Sequence, residues 1–189
     1  MRLVLLGLTL VAIFASPAFA HPGADHAHSF ASGVLHPLTG ADHVFAMVSV
    51  GIWGTFVADR AIWAWPATFM AAMLAGFAAA LLGLHVYFVE PFISASIVVL
   101  GLLVALRVKA PLALGAAVVG LFAFFHGHGH GTEATATNVI PYAAGFTFST
   151  AMFHAAGIGV GLCSRSLIER IVFAPTERIR STVRGRWLR

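Results

Sequence analysis

The chain has 189 residues, of which 59% are hydrophobic and 10% are charged, and its mean hydropathy is +0.91. So few polar residues cannot cover a water-soluble domain, and the composition therefore predicts a polytopic membrane protein. The formal net charge of +4 does not indicate nucleic-acid binding, because the basic residues lie in short loops and at one terminus. A lone cysteine, Cys163, excludes an intramolecular disulfide framework.

The N-terminal segment predicts a cleaved signal peptide over residues 1–20. Arg2 precedes an apolar run, and Ala18-Phe19-Ala20 has the small-residue pattern of a cleavage site before His21. The alternative is an uncleaved signal anchor, although the apolar run is short for a spanning helix. Residues 21–29 would form a periplasmic arm that contains His21, His26 and His28. This arm either collects metal ions through its histidines or is a solvated linker.

About five later segments are apolar and approach the length of about 20 residues that crosses a bilayer. We therefore predict an all-α bundle of about five transmembrane helices over residues 30–163, followed by a basic tail over residues 164–189. Small residues at four-residue spacing, such as Gly157 and Gly161, are typical of helices that pack closely. The expected spans are Phe30 to Val57, Ala61 to Leu84, Pro91 to Val108, Pro111 to Phe125 and Val139 to Cys163.

The loops predict the orientation of these spans. In the mature chain, Lys and Arg occur only at Arg60, at Arg107 and Lys109, and in the tail from Arg165 onward. The positive-inside rule places these segments in the cytoplasm and the mature N-terminus outside, in the periplasm. An exported N-terminus followed by five crossings gives the same orientation. Most histidines then fall on the outer side or in the outer half of the membrane, whereas His154 lies near mid-bilayer.

A first polar motif, HPLTGADHVFAMVSVGIWG over residues 36–54, opens an otherwise apolar span. An ionisable group inside a spanning helix costs about 2.5–3.5 kcal/mol, so such groups usually face a cavity, a partner or a ligand. In one continuous helix, His36, Gly40, His43 and Met47 would share a face with Asp42 beside them. Imidazole, carboxylate and thioether suit a borderline divalent cation. Alternatively, Asp42 pairs with a protonated histidine or caps a broken helix.

A second polar motif, FHGHGHGTE over residues 125–133, carries four more candidate ligands. If the preceding helix continues, three of them share a face, whereas the interleaved glycines would also let the backbone fold around an ion. A purely structural His-Gly repeat is the alternative. The ligand types do not choose among Ni²⁺, Co²⁺ and Zn²⁺. The four candidates are His126, His128, His130 and Glu133.

These two motifs, with Tyr142, Gly145, Phe146, His154 and Gly157 in the last span, resemble the HupE/UreJ family of membrane proteins. The resemblance covers most of the mature chain up to about residue 163, and it implies a bacterial secondary permease for nickel or cobalt that supplies hydrogenase or urease. Members have a sixth apolar helix, whereas residues 164–189 are too charged to span. The implied functional positions are His36, Asp42, His43, His126, His130, Glu133 and His154.

We therefore predict a transporter, not an enzyme, of the bacterial inner membrane, with a divalent metal ion, Ni²⁺ before Co²⁺ or Zn²⁺, as its substrate. Its expected partners are the lipid bilayer and hydrogenase or urease maturation proteins, with no nucleic acid and no organic cofactor. The main alternative is a metal-binding accessory protein or chaperone without transport. A membrane metalloenzyme is a weaker alternative because HExxH is absent. A cytochrome would need histidines at matched depths in two helices.

Overall fold

The computed structural model describes residues 29–57, 60–134 and 139–186, with side chains described as far as residue 166. This part of the chain is all helical, which confirms the predicted fold class. The predicted signal peptide and the histidines of the predicted arm lie outside the described residues. The helices are α1 (Phe30–Thr39), α2 (Ala41–Val57), α3 (Ala61–Leu81), α4 (Val89–Ala105), α5 (Leu112–Glu133) and α6 (Val139–Arg186).

Three of the described helices are long and apolar enough to cross a membrane, namely α3, α5 and the Val139–Ser166 part of α6. The pair α1 and α2 meets the same standard only together, and α4 is apolar but has 17 residues. Large apolar side chains such as Leu114, Phe148 and Val160 are exposed on the outside of the bundle. Such a surface suits contact with lipid, in which helices satisfy their own backbone hydrogen bonds.

The first expected span is broken, because α1 and α2 meet at an angle of 87°. Pro37 lies within α1 and has no N–H for an intrahelical hydrogen bond, and Gly40 is extended with φ −107° and ψ 111°. The expectation that His36, Gly40, His43 and Met47 share one face of a continuous helix is therefore wrong. The bend still brings the first two histidines together, with 5.8 Å between the ring centroids of His36 and His43.

The second motif, in contrast, continues α5 without a break as far as Glu133. The expected end of this span at Phe125 is therefore too early, and the alternative of a backbone folded around an ion does not hold. The helical continuation places His126 and His130 one turn apart, with Glu133 following on the same side. These residues form the last turns of α5, at the end of the bundle where α1 also ends and α2 begins.

Three helix crossings are built on pairs of glycines. A β-carbon at any of these glycines would overlap the backbone of the neighbouring helix, so the helices touch main chain to main chain. Close approach through small residues is how helices associate in lipid, where no hydrophobic force drives them together. The pairs are Gly76 and Gly127 between α3 and α5, Gly33 and Gly145 between α1 and α6, and Gly51 and Gly157 between α2 and α6.

Two buried tryptophans close the opposite end of the core from the polar motifs. The rings of Trp53 and Trp65 lie 4.2 Å apart between centroids. Their indole N–H groups donate to the carbonyl oxygens of Val108 and Leu112, at 2.8 Å and 3.0 Å respectively. Buried indoles need such acceptors, and these two bonds fix the connection between α4 and α5 against α2 and α3.

The glycine crossings predict different outcomes for two substitutions on α6. In Gly157→Ala the new methyl would overlap the Val48 carbonyl, whereas in Gly159→Ala it would meet nothing within 4 Å. Overpacking typically costs about 1–3 kcal/mol, so we expect Gly157→Ala to lower the melting temperature in detergent by more than about 2 °C. Gly159→Ala should leave it unchanged or slightly raised. Equal melting temperatures for the two variants would contradict the main-chain contact.

The loop charges predict which ends of the helices are accessible from outside intact cells. In a chain with Cys163 replaced by serine, Thr132→Cys lies at the exposed end of α5, and Ser181→Cys lies in the basic part of α6. A membrane-impermeant thiol reagent should label Thr132→Cys and leave Ser181→Cys unlabelled until the cells are lysed. Labelling of Ser181→Cys in intact cells would reverse the orientation.

Candidate metal centre

Polar side chains from four helices converge at one end of the bundle. The bend after α1 brings its last turn beside the first turn of α2, while the last turns of α5 and the first turn of α4 approach from the other side. Together they line a cavity of about 10 Å³, room for about one water-sized particle. The lining residues are His36, Asp42, His43, Glu90, Ile93, Gly129, His130 and Glu133.

Three histidines form the centre of this site. Each of His36, His43 and His130 offers one ring nitrogen, and these atoms all lie within 4.8 Å of one another. Imidazole nitrogens bind zinc at about 2.0–2.1 Å, so two ligands of one such ion lie at most about 4.2 Å apart. Small ring movements would therefore close this set on an ion. His43 and His130 are buried, and His36 is half-buried at the outer edge.

Asp42 holds His43 in one orientation. Its Oδ1 accepts hydrogen bonds from both the backbone N–H and Nδ1 of His43, each at 2.9 Å. With the proton on Nδ1, the Nε2 atom of His43 carries the lone pair that binds a metal. A β-carbon at Gly40 would lie 2.5 Å from Asp42 Oδ1 and 2.8 Å from His43 Nδ1. Glycine at the bend therefore leaves room for this pair. The negative charge of Asp42 is also favoured by its position in the first turn of α2, at the positive end of the helix dipole.

A second carboxylate, from α5, lies beside another histidine of the cluster. Glu133 Oε2 lies 3.3 Å from His36 Nε2, and it comes from the last turn of α5. Glu90, in the first turn of α4, also lines the cavity. The site thus combines imidazoles with acidic side chains, a donor set that suits several divalent transition metals.

His130 is the most fully enclosed member of the cluster. Its ring is 1% exposed and stacks on Phe146 with 4.7 Å between centroids and 5° between planes. Within the described part of the chain, neither of its ring nitrogens has a hydrogen-bond partner. Buried polar atoms are nearly always paired, so a histidine held in this way is a strong candidate for binding an ion.

Two further histidines continue from the cluster into the core. The ring of His126 lies 4.8 Å from that of His43, and its Nε2 is 3.0 Å from Ser96 Oγ. Deeper still, His154 donates from Nδ1 to the Thr150 carbonyl at 2.9 Å, which leaves Nε2 bare and buried without a hydrogen-bond partner. The Phe69 ring packs against both imidazoles, at 5.9 Å from His126 and 5.0 Å from His154 between centroids.

One of the candidate histidines lies elsewhere. His128, two residues after His126 on α5, turns away from the cluster and donates from Nε2 to the Leu84 carbonyl at 2.8 Å. This bond ties α5 to the loop that follows α3. His85 in that loop is exposed. Helical geometry explains the difference, because residues two apart on a helix point to nearly opposite sides.

Fold and site together define a polytopic helical membrane protein with a buried cluster of imidazoles and carboxylates. A family model described as "HupE / UreJ protein" matches residues 8–180. The chain is 40% identical over 154 residues to "Protein HupE" of Rhizobium leguminosarum bv. viciae, and the alignment covers 80% of this chain and 81% of that protein. The chain therefore belongs to the HupE/UreJ family, which confirms the resemblance of its motifs. No solved structure matches it.

The cluster predicts which histidines contribute to metal affinity. Because His43 and His130 each offer a buried nitrogen to one ion, His43→Ala or His130→Ala should weaken Ni²⁺ binding by more than about tenfold. Isothermal titration calorimetry of the purified protein in detergent measures this affinity. His85→Ala, which removes an exposed imidazole outside the cluster, is the matched control and should bind as the wild type does. Wild-type affinity in all three variants would show that the ion binds elsewhere.

Proposed function

We propose that this protein takes up a divalent transition-metal ion, Ni²⁺ in the first place, across the bacterial inner membrane for the maturation of hydrogenase or urease. The observation that carries the proposal is the buried cluster of His36, His43 and His130, open at one end of a bundle of apolar helices. Family membership supports the same function, because the resemblance implies supply of nickel or cobalt to these enzymes.

The small cavity supports a mechanism that begins with dehydration. Its volume of about 10 Å³ admits an ion with at most a remnant of its water shell. The ion must therefore exchange water for protein ligands as it enters. Imidazole nitrogens and carboxylate oxygens supply such ligands, and they bind Ni²⁺, Co²⁺ and Zn²⁺ better than Mg²⁺ or Ca²⁺, which prefer oxygen donors alone. The first step thus selects against the abundant hard cations.

The second requirement of the mechanism is negative charge near the ion, because an uncompensated divalent cation is costly to hold in an apolar interior. Asp42 lies beside His43 and Glu133 beside His36, and Glu90 lines the same cavity. Their carboxylates compensate the charge of the ion while the imidazoles stay neutral. Asp42 also holds the Nδ1 proton of His43, which leaves Nε2 of His43 for the ion.

Beyond the cluster, two imidazoles lead inward between α2, α3, α5 and α6. His126 adjoins His43, and the Phe69 ring contacts both His126 and His154. In our proposal the ion passes from the cluster to His126 and then to His154. In the proposed orientation, the buried indoles of Trp53 and Trp65 lie at the cytoplasmic end of the core, so release would need a rearrangement of this end. Uptake is thus the work of a carrier with closed states, not of an open channel.

The main rival is an accessory protein that binds the same ion and presents it to a partner without transport. Metal binding would be identical in the two cases, so only flux separates them. Proteoliposomes that hold the purified protein should accumulate Ni²⁺ beyond the amount bound, and Co²⁺ and Zn²⁺ should compete. Binding without accumulation would overturn the transport proposal and leave the accessory role.

Asp42 provides the sharpest test of the transport mechanism. Asp42→Asn keeps the shape of the side chain and one hydrogen-bond acceptor, but it removes a negative charge next to the ion. We expect Ni²⁺ uptake into proteoliposomes at limiting concentration to fall by more than about tenfold, because the buried cation loses part of its compensation. The yield and melting temperature of the variant should stay close to those of the wild type.

Glu169→Gln is the matched control, because it makes the same change of acid to amide in the part of α6 beyond the apolar span. Its uptake should equal that of the wild type. Undiminished flux in Asp42→Asn would remove this carboxylate from the site, and the transport proposal would then depend on the histidines alone.

A further inference from the structure

Ser96 is a buried polar residue within the apolar helix α4, and the proposed transport path gives it no role. Its side chain is 0% exposed. The Oγ atom lies 2.6 Å from the carbonyl oxygen of Ile93, one turn earlier, and 3.0 Å from Nε2 of His126 on α5. The hydroxyl thus connects its own helix to a histidine that adjoins the cluster.

The geometry around Ser96 decides which nitrogen of His126 carries the proton. A hydroxyl has one hydrogen to donate, and a backbone carbonyl can only accept. If Ser96 donated to His126 instead, its oxygen and the Ile93 carbonyl oxygen would face each other at 2.6 Å with no hydrogen between them. The hydroxyl hydrogen therefore belongs to Ile93, and Nε2 of His126 must donate to Ser96 Oγ.

This assignment leaves Nδ1 of His126 with a bare lone pair. The atom is buried, and no hydrogen-bond partner for it exists among the described residues. The ring is 0% exposed and lies edge-on to His43, with 4.8 Å between centroids. A bare nitrogen next to the cluster is able to bind the same cation, whereas the opposite tautomer would present an N–H group that repels it.

The same arrangement recurs along the path. The Asp42 carboxylate holds the Nδ1 proton of His43, and the Thr150 carbonyl holds the Nδ1 proton of His154. In each case one nitrogen is fixed by an acceptor and the other is left for a ligand, as is usual for metal-binding histidines. A hydroxyl that bonds only its own helix, such as Thr55 to the Ile52 carbonyl at 2.7 Å, serves no such purpose.

We propose that Ser96 is a positioning residue that fixes the tautomer and orientation of His126, so that Nδ1 of His126 is left as a ligand for an ion bound next to His43. This inference rests on the proposed function, since it assigns a role in binding the transported ion. Ser96 itself does not touch the ion, and its effect passes through His126.

The experiment compares four purified proteins: the wild type, Ser96→Ala, His126→Ala and the double variant. Ni²⁺ affinity is measured by calorimetry, and visible absorption of bound Co²⁺ reports the ligand set. Loss of an outer partner of a metal-binding histidine typically costs 10–100-fold in affinity. We expect Ser96→Ala to lose about tenfold or more, and the double variant to lose no more than His126→Ala does. Ser96→Thr keeps the hydroxyl, and this variant should retain most of the wild-type affinity.

Two further measurements separate positioning from a merely structural role. In the metal-free protein, imidazole ¹⁵N chemical shifts should show His126 protonated at Nε2 in the wild type and a change of tautomer in Ser96→Ala. Ser94→Ala, which removes an exposed hydroxyl from the same helix, should leave affinity, spectrum and tautomer unchanged. The tautomer measurement tests the inference even if Ser96→Ala is less stable in detergent.

The inference is overturned if Ser96→Ala binds Ni²⁺ as the wild type does, if the losses of the two single variants add in the double variant, or if the tautomer of His126 does not change. These outcomes differ from failure of the proposed function. If the proposed function fails, the wild type itself would show no metal binding, or no accumulation in proteoliposomes, whatever residue is present at position 96.

Discussion

Main-chain contact between helices at glycines is the constraint on which the rest of this structure depends. The histidines of the site are placed by these crossings. Gly127 directly follows His126 and lies against the backbone of Met73, and Gly51 lies against the carbonyl of His154. A larger residue at either position would separate the helices that carry the imidazoles. The same few glycines therefore determine both the packing of the bundle and the geometry of the site.

The site also meets the main energetic difficulty of polar groups in an apolar interior. A buried donor or acceptor that loses its partner costs about 1–3 kcal/mol, so an imidazole with both nitrogens unpaired is expensive. In His43, His126 and His154, one nitrogen is satisfied by a carboxylate, a hydroxyl or a carbonyl. The other nitrogens of His126 and His154 have no hydrogen-bond partner among the described residues. That remaining cost favours the binding of a cation at each of these two imidazoles.

Much of this arrangement is predictable from the sequence, because it depends on local patterns. Hydropathy predicts the helical bundle, and the spacing of His126, His130 and Glu133 predicts their shared face once α5 is taken as continuous. The break at Gly40 is less predictable, since proline and glycine occur in many unbroken spanning helices. The contacts of Ser96 and Glu90 were beyond prediction, because a single polar residue in α4 has no period and its partner lies on another helix. Such pairings follow from side-chain packing between helices.

The cavity among His36, His43 and His130 has a consequence for how different metals affect one another. If this cavity holds the ion, its room for about one particle limits it to one ion at a time, and two metals would then compete for the same place. Affinity for nitrogen ligands rises from Co²⁺ through Ni²⁺ to Cu²⁺, and an ion that binds more tightly leaves more slowly. In a transporter with this site, Cu²⁺ would therefore stay longest and slow the turnover of the other ions. Under the proposed uptake function, a moderate residence time would therefore serve transport better than the tightest binding.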